Sequence, residues 1–222
     1  MRFVIKIGGH LLDNNATIFK KYADQIKNLA ETGHKLSVVM GGGYAARNWI
    51  NLARSLGANE AALDEIGILI SRLNAYLEIQ LLSTLAYPTP PQSLKEFDVA
   101  WASSKIVVLG GLTPGQSTTG VSAIIAERIY ADRLIILTNV DGVFTDEPTS
   151  PSAVFLPSVS IEQLASIISG RPALAGTYEL LDDVSIKILK RSRIPTLITN
   201  GLYENVVVDA AFFKAKGTVI KY

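Results

Sequence analysis

Six short apolar runs, at residues 3–7, 36–40, 106–109, 134–137, 196–199 and 218–220, punctuate the chain. Their apolar positions are mostly continuous rather than alternating, the pattern of strands covered on both faces. Between them, residues 16–31, 44–56, 61–82, 121–131, 161–168 and 183–191 carry apolar side chains at three- and four-residue spacing, which predicts helices with one buried face. Alternation of the two patterns predicts an α/β fold, a mostly parallel sheet sandwiched by helices. No internal repeat or low-complexity tract interrupts it. The richest loop cluster, residues 87–93 with three prolines, reads as a seam rather than a flexible linker.

Glycine and proline gather where strands end: Gly8-Gly9, Gly41-Gly42-Gly43, Gly110-Gly111 followed by Pro114-Gly115, and Asp141-Gly142. Ligands of open α/β sheets sit at the carboxyl ends of strands, so this clustering is the main functional signal. Gly8-Gly9 offers backbone amides that phosphate can approach closely. Lys6 stands just before it. An ammonium on a buried strand needs an anion or carboxylate opposite it, or a route to solvent, and a transferring phosphoryl group is one such anion. Residues 41–47, GGGYAAR, satisfy the G-x-G-x-x-A dinucleotide fingerprint, but no acidic residue ends the following strand, because Asp64 and Glu65 open a long helical stretch. Arg47 lies one turn into the helix, placed either for a bidentate phosphate contact or as a solvated surface charge.

The third loop, GGLTPGQSTTG at 110–120, brings Gln116, Ser117, Thr118 and Thr119 to a helix N-terminus. Capping needs one hydroxyl; the excess points to a bound anion. The fourth, TNVDGVFTDEP from Thr138, joins a turn signal to Phe144, which either stacks on a base or packs. No G-x-x-x-x-G-K-[ST] occurs, which excludes the P-loop architecture.

Composition narrows the chemistry. With 21 Lys plus Arg against 20 Asp plus Glu, the net charge is +1, and no basic field is available for a nucleic-acid partner. A 48% hydrophobic content at 222 residues is enough to bury a large core and excludes intrinsic disorder. The absence of cysteine excludes disulfides, thiolate metal sites and cysteine nucleophiles, and only two histidines, His10 and His34, argue against a multi-histidine metal centre. Neither a signal peptide nor a membrane-spanning run is evident, so the expectation is a soluble cytoplasmic protein with no membrane partner and no metal bound by protein ligands.

Taken together, IKIGG (5–9), GGGYAAR (41–47), LDEIGILISRLNAYL (63–77), GGLTPGQST (110–118), TNVDGVF (138–144) and AGTYELLD (175–182) resemble the amino acid kinase family, with the strongest likeness to its archaeal-type branch acting on UMP. The resemblance spans nearly the whole chain. It implies a three-layer α/β/α sandwich, residues 1–222 forming a single domain with an N-terminal acceptor-side lobe and a C-terminal ATP-side lobe, and a homohexamer. It also implies transfer of the ATP γ-phosphoryl group to UMP, with Mg²⁺ carried by the nucleotide phosphates. Carried over residue by residue, Gly8, Gly9, His10, Gly43 and Arg47 face ATP phosphates, and Thr138, Asn139, Phe144 and Glu147 surround adenosine. Gly42, Asp64, Leu112, Thr113, Pro114, Gly115, Gln116, Ser117 and Thr118 hold UMP. Lys6, Arg47 and Asp182 carry the catalytic roles, Lys6 by neutralising the transferring phosphoryl; Asp182 and Lys187 lie where relatives orient active-site lysines, although Lys187 reads as a helix-surface charge.

Four positions depart from the family pattern. Gly120 replaces a common acidic residue, Glu147 a common Asp, Phe144 a common Tyr, and His10 stands where small or polar residues are frequent. Other members phosphorylate carboxylates, carbamate or isopentenyl phosphate; the histidine that follows the glycine loop in isoprenoid-phosphate kinases is not supplied by Tyr44-Ala45-Ala46. A non-catalytic nucleotide or oxyanion binder on the same fold is the remaining alternative, and Lys6, Gly9 and Thr138 argue against it.

Overall fold

A computed structural model describes residues 1–12, 15–168 and 180–222. The chain runs β1 (Arg2–Ile7), α1 (Ala16–Glu31), β2 (Lys35–Met40), α2 (Gly43–Ser55), α3 (Glu60–Leu82), α4 (Leu94–Ala102), β3 (Val107–Leu109) and α5 (Thr118–Arg128). It continues β4 (Arg133–Thr138), β5 (Val143–Phe144), β6 (Phe155–Leu156), β7 (Ser158–Ser160), α6 (Ile161–Ile168), α7 (Asp183–Ser192), β8 (Thr196–Asn200), α8 (Val206–Ala211) and β9 (Gly217–Lys221). Seven strands form one sheet in the order β3-β2-β1-β4-β8-β9-β7, while β5 and β6 pair separately. Among the described residues, only the β8–β9 pairing within the large sheet is antiparallel.

Side chains of β1 alternate between two cores. Phe3, Ile5 and Ile7 pack with α1, α3 and α8, whereas Val4 joins the cluster under α4, α5, α6 and α7. Two covered faces explain the continuous apolar strands, and the expected three-layer α/β/α sandwich is what forms. Asn15 starts α1 by accepting the Thr17 and Ile18 amides, and Phe19, Tyr22, Ile26 and Leu29 then fall on its buried face.

Several elements differ from the sequence expectation. Helix α5 begins at Thr118, three residues early, because Ser117 caps it. Helix α8 comes from VVVDAA, a β-branched run, and is held helical by burial of Val206, Val207, Ala210 and Ala211 against the α1 side of the core. Helix α4 and strands β5, β6 and β7 were not among the elements read from the periodicity. Of the motif at 175–182, residues 175–179 lie outside the described residues.

Candidate active site

Strands β3, β2, β1, β4 and β8 run parallel, with Ile7 opposite both Met40 and Leu137 and Thr138 opposite Asn200. The loops that follow therefore leave the sheet side by side at one edge. The first two touch through backbone alone: a Cβ on Gly9 would lie only 2.8 Å from the Gly42 carbonyl carbon and closer still to Gly43, which itself has φ +68°. Only glycine permits that approach. Gly8 donates its amide to Leu137 O (2.9 Å), and Asn74 of α3 donates to Gly41 O (2.7 Å), fixing both loops. Arg47, the first charge inside α2, reaches back so that its Nη2 meets His10 Nε2 at 2.6 Å. Gly9, His10, Gly43 and Arg47, expected around donor phosphates, are thus brought together.

Lys6 projects to the α5 side of β1, in register with Val39 and Ile136, and is only 7% exposed. Its Nζ lies 3.6 Å from where a Cβ of Gly8 would stand, which puts the ammonium beneath the first glycine loop. Burial lowers its pKa to about 8, opposed by the charge of Asp182. Escape of the ammonium to solvent, one of the readings open from sequence, does not occur.

Asp182 stands before α7 and joins two helix starts. Its Oδ1 accepts the Ser185 amide (2.8 Å) in a capping box, and its Oδ2 accepts the Ser117 amide (3.0 Å) ahead of α5. A Cβ on Gly120 would sit 2.7 Å from Asp182 Oδ2, so the space beside position 120 is taken by the Asp182 carboxylate.

The loop 112–118 is tied to α3. Asp64 Oδ2 accepts the Gly115 amide at 2.7 Å, Arg72 donates to Gly111 O (3.0 Å) and Leu112 O (3.3 Å), and Ser71 Oγ accepts the Gly111 amide (2.8 Å). Thr113, Pro114 and Gly115 face solvent, and Leu112, Gln116, Ser117 and Thr118 are half-buried. Ser117 Oγ accepts the Thr119 and Gly120 amides, so that one hydroxyl of the polar cluster serves as the helix cap. Gly42 borders Asn74 and α3 on the same side.

At the end of β4, Thr138 is buried and donates to Asn139 Oδ1 (3.4 Å), while Asn139 and Glu147 are exposed. Phe144 packs edge-on against Phe155, ring centroids 5.6 Å apart. Lys187 is exposed on α7, as read from sequence. Ser71, Arg72 and Asn74 were missed as site residues. Their signal was present: three polar side chains inside an apolar helical stretch.

A family model described as the amino acid kinase family matches residues 1–200, and the chain belongs to that family. It is 43% identical to the uridylate kinase of Sulfurisphaera tokodaii, over 100% of this chain and 99% of that protein, and 41% identical to the uridylate kinase of Methanococcoides burtonii, over 98% and 94%. The solved structure of uridylate kinase from Archaeoglobus fulgidus superposes with a TM-score of 0.89 at 36% identity, covering both chains completely. The UMP kinase of Ureaplasma parvum, at 21% identity and a TM-score of 0.81, shares the fold.

Proposed function

We propose that this chain is a UMP kinase: it transfers the γ-phosphoryl group of ATP to UMP, giving UDP and ADP, in cytoplasmic pyrimidine nucleotide biosynthesis. The observation that carries this reading is the buried Lys6 ammonium under the paired glycine loops, in a chain similar along its whole length to uridylate kinases. Phosphoryl transfer requires positioning and charge stabilisation rather than a covalent intermediate. Lys6 meets the charge on the transferring group, and the amides around Gly8, Gly9 and Gly43, with His10 and Arg47, hold the donor phosphates. Thr138, Asn139, Phe144 and Glu147 line the adenosine side. Gly42, Asp64 and the loop 112–118 hold UMP. Arg47 acts beside Lys6 at the phosphates, and Asp182 keeps Lys6 charged. Mg²⁺ bound to the ATP phosphates would supply charge neutralisation beside the glycine loops, while Lys6 and Arg47 supply the protein's own positive charge there.

Residues 1–222 act as one domain, supported by a sheet that is continuous from β3 to β7. The N-terminal lobe takes the acceptor and the C-terminal lobe the ATP. A homohexamer is supported by exposed Leu69, Leu73, Tyr76 and Leu77 on one side of α3, Trp49 and Leu52 on α2 and Leu56 just after it, an apolar surface suited to a second copy.

The test is coupled ADP release with Mg-ATP and UMP, CMP, dUMP, isopentenyl phosphate or acetylglutamate as acceptor. Turnover with UMP is expected. Turnover with another acceptor alone refutes the substrate assignment, and nucleotide binding without any turnover favours the binding protein. Asp64→Asn is expected to raise KM for UMP about tenfold while KM for ATP moves little, since one charge-assisted hydrogen bond to the acceptor loop is weakened. Equal losses for both nucleotides would contradict the division of the site.

A further inference from the structure

A polar centre among the described residues outside the assigned site residues is Asp141, in the turn after β4, which joins three partners from distant parts of the chain. Its Oδ1 accepts the Tyr203 hydroxyl at 2.6 Å and Asn200 Nδ2 at 3.2 Å, and its Oδ2 pairs with Lys216. The three partners come from the end of β8, the loop after it and the residue before β9. Hydrogen bonds from Lys216 and Tyr203 hold the carboxyl down to about 2, so it stays charged across the working range of pH.

Both sides of this centre are anchored. The loop after β8 is gripped by α1: Lys21 Nζ donates to the Gly201, Leu202 and Tyr203 carbonyls, the Tyr22 hydroxyl donates to Gly201 O (2.9 Å), and Gln25 Nε2 donates to Glu204 O (2.9 Å). On the far side, the Val143 amide donates to Thr218 Oγ1 (2.8 Å), and a Cβ on Gly142 would stand 3.0 Å from both Phe155 and the Thr218 nitrogen. Lys216 also lies 5.4 Å from the centroid of the Phe155 ring, the ring that Phe144 packs against. One carboxylate therefore joins the α1-held loop to the turn carrying Asn139 and Phe144.

We propose that Asp141 is a positioning residue for the donor nucleotide: through Tyr203, Asn200 and Lys216 it sets the loop 139–144 in its nucleotide-receiving shape before ATP arrives. Asp141 does not itself touch the nucleotide. Its contribution is preorganisation, so that the loop is not ordered at the expense of ATP affinity. This inference rests on the donor side assigned above.

The experiment measures ATP affinity by calorimetry without acceptor, together with KM for ATP and UMP, in Asp141→Asn, Tyr203→Phe, Lys216→Met and the Tyr203/Lys216 double variant. Asp141→Asn is expected to weaken ATP binding about tenfold, with kcat and KM for UMP within about threefold, the scale of losing a charge-assisted contact. Tyr203→Phe and Lys216→Met are each expected to lose about threefold, and their combined effect should depart from the product of the two because they share one carboxylate. Unchanged ATP affinity in folded Asp141→Asn overturns the proposal, as does an equal loss of ATP and UMP binding, which marks a general scaffold role. Should Asp141→Asn not fold, unchanged ATP affinity in Tyr203→Phe overturns it. Weaker ATP binding in these variants of a protein that does not phosphorylate UMP would keep this inference and refute the acceptor assignment; no ATP binding by the unmodified protein would refute both.

Discussion

Lys6→Met and Lys6→Ala proteins are expected to turn over about 10³-fold more slowly than the unmodified chain, with KM values little changed, the loss typical of one preorganised charge donor at a transition state. The reason is positional. Lys6 sits on an inner strand of the sheet, 7% exposed, with apolar neighbours in register on β2 and β4, so no water shell screens its ammonium. Its pKa of about 8 sets a pH limit: the protonated form is depleted above that value, and kcat/KM should fall along the alkaline limb. The Lys6→Met variant, which keeps the buried stem's volume, should be no less stable. A lysine whose folded pKa is below its unfolded value binds fewer protons when folded, so it opposes folding at neutral pH, and Lys6→Met should raise stability there by up to about 3 kcal/mol. Steady-state kinetics across pH and urea unfolding at pH 7 check both halves. A normal rate in a folded variant would remove Lys6 from the chemistry.

Glu78→Met is expected to stabilise the protein, most strongly above neutral pH. Glu78 lies on the α1-facing side of α3 at 0% exposure, and neither carboxyl oxygen has a hydrogen-bond partner. Burial pushes its pKa to about 8; Lys27 pulls the other way and Asp24 adds to the rise, while Tyr22 beside it is itself raised by burial and by Glu78. With the folded value above the unfolded 4.5, the native state holds a proton that the unfolded chain releases. The stabilising contribution of Glu78 is therefore fullest below about pH 4.5 and is lost progressively as pH rises through about 8, a loss of up to about 3 kcal/mol by pH 7. Methionine fills the same space without a titrating group, so its unfolding free energy should lack this slope. Urea midpoints of both proteins from pH 5 to 8.5 decide it: a difference that does not grow with pH would mean that Glu78 is not the proton-linked group.

How much of this was visible beforehand depended on the range of the interaction. Lys6 and the glycine pairs could be named from local signals, because a charge at a buried strand end and glycine at a strand exit are unusual wherever they occur, whereas Asp182 entered only through the family resemblance. Arg72 and Asn74 gave a weaker local cue inside α3 and needed the loops they hold to acquire meaning. Asp141 read only as half of a turn signal, since its partners stand 59, 62 and 75 residues away. Phe144, left open between base stacking and packing, has an aromatic neighbour that sequence could not supply.

The sequence by itself determined the layered α/β architecture and the glycine-rich loops at the strand ends, because each follows from periodicity and residue type within a few neighbouring positions. Only the tertiary structure decided that Arg47 meets His10, that the Asp182 carboxylate occupies the space beside Gly120, that VVVDAA is helical and that Glu78 is buried without a partner. Those outcomes depend on sheet order and packing between distant segments, where burial and contact override local preference.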